Sequence, residues 1–111
     1  MTDRELRELE DAQAEQRADA RLRIEAAEQY VHDYRSRIQE VQERFSDFAS
    51  REGIGDDSGF RDELRRSSDI VDQNVAYAGR KVAELEEEND QLLRDQTDER
   101  ERYLAQRDTT D

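Results

Sequence analysis

The chain has 111 residues, enough for one small domain. Charged residues make up 44% of it and the hydrophobic set 32%, proline is absent, and the net charge is −13. These figures exclude a thick-cored globule and leave long helices uninterrupted. They also argue against nucleic acid or an anionic membrane as ligand, because phosphate contacts need clustered Lys and Arg and the 18 basic residues here are scattered among acids.

The acidity reads as a solvated helix surface, with a basic partner or DNA mimicry as the alternative. Without cysteine there is no disulfide framework and no thiol chemistry. No apolar run is long enough for a transmembrane helix, so membrane insertion is not expected. The start, Met1-Thr2-Asp3-Arg4-Glu5-Leu6, lacks the apolar core of a signal peptide. The protein is therefore expected in the cytoplasm, leaving it only in complex and without a signal peptide.

Thr2 and Glu5 fit a capping box, which predicts a first helix over about 3–52. Along it Ile24, Ala27, Val31, Tyr34, Ile38, Val41, Phe45 and Phe48 recur at spacings of 3 and 4. That repeat is the seam of a helix packed along another helix, and it decides against disorder. Gly53-Ile54-Gly55-Asp56-Asp57-Ser58 then makes a turn over 53–58. Gly53 suits the left-handed end of a helix, and Asp56, Asp57 or Ser58 suits the cap of the next. A second helix is predicted over about 59–107, with its own seam of Leu64, Ser68, Val71, Val75, Ala78, Val82, Leu85, Asn89 and Leu92.

A turn this short makes the helices antiparallel neighbours. The expected fold is all-α, an antiparallel two-helix coiled-coil hairpin forming part of a larger helical bundle with a partner. Facing residues should then have numbers summing to about 112. Val41 falls opposite Val71, Ile38 opposite Val75 and Tyr34 opposite Ala78. Gln13 and Gln16 fall near Glu99 and Gln96, a polar stretch of seam, and Leu6 and Leu9 come level with Tyr103 and Leu104. This end is expected to be mobile without a partner.

A second stripe, Phe60, Ser67, Ile70, Asn74 and Tyr77, lies beside the seam, and Tyr30 is likewise off it. Gly79 adds a smooth patch between Ala76 and Ala83. Tyr30, Phe60, Ile70, Tyr77 and Gly79 are the candidate partner-binding residues; scattered surface apolar groups are the alternative. A two-helix seam half-buries each apolar side chain for ~1 kcal/mol, while ordering a residue costs roughly 1.5 kcal/mol. A further helix would share that cost.

Catalysis finds no support. His32 is the only histidine, and no cofactor or metal is expected. Glu86-Glu87-Glu88 points outward in different directions, and Gly53, Gly55 and Gly59 match no phosphate loop. Val82 and Asn89 at a, with Leu85 and Leu92 at d, read either as a parallel zipper or as part of the hairpin seam.

The plan of two long helices about one short loop resembles the small helical-hairpin proteins of bacterial type VII secretion, the WXG100 proteins and, more closely, the α-helical partners of LXG-domain toxins. Asp98-Glu99-Arg100-Glu101-Arg102-Tyr103-Leu104-Ala105-Gln106-Arg107 looks like the charged terminus of one such partner family. The resemblance covers most of the chain. It lacks the Trp-x-Gly turn, and no Tyr-x-x-x-Asp/Glu follows Tyr30, Tyr34, Tyr77 or Tyr103; Phe48-Ala49-Ser50-Arg51-Glu52 is a variant with Phe for Tyr. What the resemblance implies is a targeting partner that binds the helical N-terminal domain of a toxin, or another small helical protein. The alternative is a homodimer, a structural homo-oligomeric coiled coil of phage or cytoskeletal type.

Overall fold

A computed structural model describes residues 2–110. They form two α-helices, α1 (Asp3–Glu52) and α2 (Ser58–Thr110). The fold is an all-α antiparallel helical hairpin. No described helix is long and apolar enough to cross a membrane.

The helix ends are built by short-range chemistry. At the start of α1, the Thr2 backbone N–H donates to Glu5 Oε2 at 3.0 Å, and the Glu5 N–H donates to Thr2 Oγ1 at 3.2 Å. This reciprocal pair satisfies two donors that would otherwise have no helical partner. At its end, Gly53 takes φ +67°, the region a Cβ disfavours. The Ile54 N–H then reaches Ala49 O at 3.0 Å and the Gly53 N–H reaches Ser50 O at 3.4 Å. These are the two bonds of a Schellman motif. The Asp57 N–H closes the turn on Ile54 O at 3.0 Å. Of the three acidic or hydroxyl candidates, Asp57 caps α2: its Oδ2 accepts from the Phe60 N–H at 2.9 Å. Helix α2 thus begins at Ser58, one residue earlier than the sequence predicts. Arg61 braces the turn from the first coil of α2, donating to Asp56 Oδ1 at 2.8 Å and to Gly55 O at 3.1 Å.

The chain divides into two compact units, a terminal unit (Met1–Ala26 with Val82–Asp111) and a turn unit (Ala27–Lys81). In the terminal unit, Ile24, Val82, Leu85, Asn89 and Leu92 are half-buried, as the repeat requires. Beyond them the seam turns polar and closes on itself. Gln13 and Gln96, 4% and 6% exposed, are the buried polar residues of the described chain. Gln13 Nε2 donates to the Gln96 carbonyl at 2.9 Å and to Glu99 Oε1 at 2.9 Å. Gln96 Nε2 donates to the Gln13 carbonyl and to Gln16 Oε1, both at 2.9 Å, while its Oε1 accepts from Arg17 Nη1. These pairings match the register read from the sequence. Past this layer Leu6, Leu9, Tyr103 and Leu104 are half-buried, and Arg107 meets Asp3 at 2.6 Å.

In the turn unit, Ala27, Val31, Tyr34 and Ile38 of α1 and Leu64, Ser68, Val71, Val75 and Ala78 of α2 are half-buried. The sequence reading fails beyond Ile38, toward the end of α1. Val41, Phe45 and Phe48, read as seam, are exposed. Gln42 is half-buried instead, and Ala49, 3% exposed, is the one buried apolar residue of the described chain. The cause is helical phase. A straight helix drifts from a strict seven-residue repeat, and 18 residues make about five whole turns at about 3.6 per turn. Ala49 therefore returns to the face of Val31, while Phe48 is rotated away by about 100°. The buried steps run 31, 34, 38, 42, 49 on α1 and 60, 64, 68, 71 on α2, so each helix inserts an extra four-residue step near the turn.

Candidate partner-docking face

The phase step leaves the turn unit with an apolar surface that its own helices do not cover. On α1, Tyr30, Tyr34, Val41, Phe45 and Phe48 follow one another at helical spacing along one flank of the seam. On α2, Phe60, Ser67, Ile70, Asn74 and Tyr77 do the same. Two contacts put these flanks on one side of the hairpin. Asn74 Nδ2 donates to the Tyr34 hydroxyl across the helices at 3.2 Å. Val41 and Phe45 share a groove with Phe60, Glu63, Leu64 and Ser67. Tyr30, Phe45, Ile70 and Tyr77 are all more than half exposed, Phe45 at 53% and Tyr77 at 56%. Val41, Arg44, Phe45 and Phe48 form a shallower hollow beside the groove.

Four of the five residues singled out from the sequence, Tyr30, Phe60, Ile70 and Tyr77, fall on this side; Phe60 is half-buried in the groove wall. Gly79 does not. It lines a separate groove with Arg35, Gln39, Asp72 and Ala76. Two residues on a helix differ by about 200°, so Tyr77 and Gly79 cannot share a face. Val41, Phe45 and Phe48 were missed as members of the face because the heptad pattern assigned them to the seam. The interval between Val31 and Ala49 was the signal that could have freed them.

The opposite-charge chemistry around Tyr77 is distinct. Arg80 Cζ sits 5.9 Å and Lys81 Nζ 5.4 Å from the centre of its ring. Both lie within cation–π range, which keeps positive charge beside an exposed aromatic.

His32 and Glu86-Glu87-Glu88 are exposed. Among the described residues, no group of three or more His, Asp or Glu is placed to hold a metal ion. In the terminal unit the Tyr103 hydroxyl donates to the Thr2 carbonyl and to Glu5 Oε2, each at 3.3 Å. Loss of hydration raises its pKa above the usual 10.0, and the Glu5 carboxylate adds to the shift by its charge and its hydrogen bond.

No family profile, curated protein or solved structure matches this chain.

Proposed function

We propose that the protein is a non-enzymatic helical adaptor that takes a partner helix onto the aromatic face of its turn unit. The observation that carries this reading is the collection of exposed Tyr30, Phe45, Ile70 and Tyr77 on one side of a short stretch of hairpin. Single exposed apolar residues are ordinary, but a contiguous set is the mark of an interaction surface. The energetics point the same way. No large side chain in the described chain is fully buried, so the hairpin stands to gain from any helix that completes its packing.

The resemblance to partners of LXG-domain toxins supplies a specific candidate, the helical N-terminal domain of such a toxin in type VII secretion. The test is co-expression of this protein with a tagged toxin domain of that class. The reading predicts co-purification of the wild-type protein, with retention lost in Tyr77→Asp and Phe45→Asp while the far-ultraviolet dichroism stays helical. Undiminished retention of both variants would remove the face. Absence of wild-type co-purification would remove the toxin assignment. A tight homodimer of the purified protein at low micromolar concentration would favour the structural homo-oligomer instead.

A further inference from the structure

We draw no further inference here: the strongest candidate, the apolar groove of the turn unit lined by Ile38, Val41, Phe45, Phe60, Leu64 and Val71, belongs to the docking face already described, and nothing in the structure shows what covers it.

Discussion

The two units of the hairpin use opposite means to hold their helices. The terminal unit carries 19 acidic residues against 9 basic ones, and the turn unit 12 against 9. Such an excess of like charge should loosen the terminal unit, yet that is where the cross-helix polar bonds concentrate. The turn unit has six of the seven aromatic residues and leaves most of them facing outward. One unit spends its polar side chains on register. The other keeps its apolar side chains for something else. A buried polar layer gives little net stability when complete, but it penalises every misalignment, because a slipped register strands its donors and acceptors. An exposed aromatic row gives no stability until it is covered.

That contrast can be broken most forcefully at the glutamine layer. Replacing Gln96 with Leu removes the side-chain partner of the Gln13 carbonyl, the Gln16 amide oxygen and Arg17. It should cost about 2–3 kcal/mol in urea unfolding. Gln13→Leu removes the donor to the Gln96 carbonyl and to Glu99, and Gln13→Leu/Gln96→Leu should cost less than the sum of the two single replacements, because the bonds depend on one another. Losses that simply add would show that the layer is not a coupled unit.

A smaller effect is expected at the turn. Gly53→Ala meets no neighbour within 4 Å, so its cost is the backbone strain at φ +67° alone. It should amount to about 1–2 kcal/mol by thermal unfolding. Asp57→Ala removes the α2 cap and should cost about 1 kcal/mol, with Asp57→Asn recovering most of it. If neither change moves the unfolding midpoint, the turn is not what holds the turn unit together.

The smallest effect sharpens the terminal unit. The Tyr103 phenol binds its proton more tightly in the folded protein than in the unfolded chain. Its contribution is therefore complete below the ordinary tyrosine pKa and fades as pH rises through the raised folded value. Thermal midpoints measured at pH about 9 and about 11 should fall less in Tyr103→Phe than in the wild type. An identical alkaline fall in both would show that the hydroxyl contacts to Thr2 and Glu5 are inconsequential.

Much of this was legible because short-range chemistry and periodicity agreed. Thr2 and Glu5 announced a capping box and form one. Gly53 announced the end of a helix and adopts the left-handed conformation there. A register counted from the turn put Gln13 and Gln16 beside Glu99 and Gln96, where they hydrogen-bond. What stayed hidden was the phase of α1 past Ile38. Hydrophobicity favours Phe48 over Ala49 at a seam, but helical geometry favours Ala49. Geometry won where the five-residue turn fixes how α1 must end and Ile54 bonds back to Ala49. Gly79 lines a groove with Ala76, one of the two alanines its smooth patch was read beside, and that groove lies on another face than Tyr77. The polar seam looked weak because its glutamines are not apolar; reciprocal bonding to main-chain carbonyls is invisible in composition.

The outward turn of the α1 aromatics is the point on which the docking face depends, and the absence of native cysteine makes it directly measurable. Phe48→Cys and Ala49→Cys place single thiols at neighbouring positions, and their labelling rates in the native protein report which one faces the other helix. The thiol at 48 should react nearly as fast as in the unfolded chain, while the thiol at 49 should be strongly protected. Protection at 48 with free reaction at 49 would return the phenylalanines to the seam and leave no aromatic face to bind a partner.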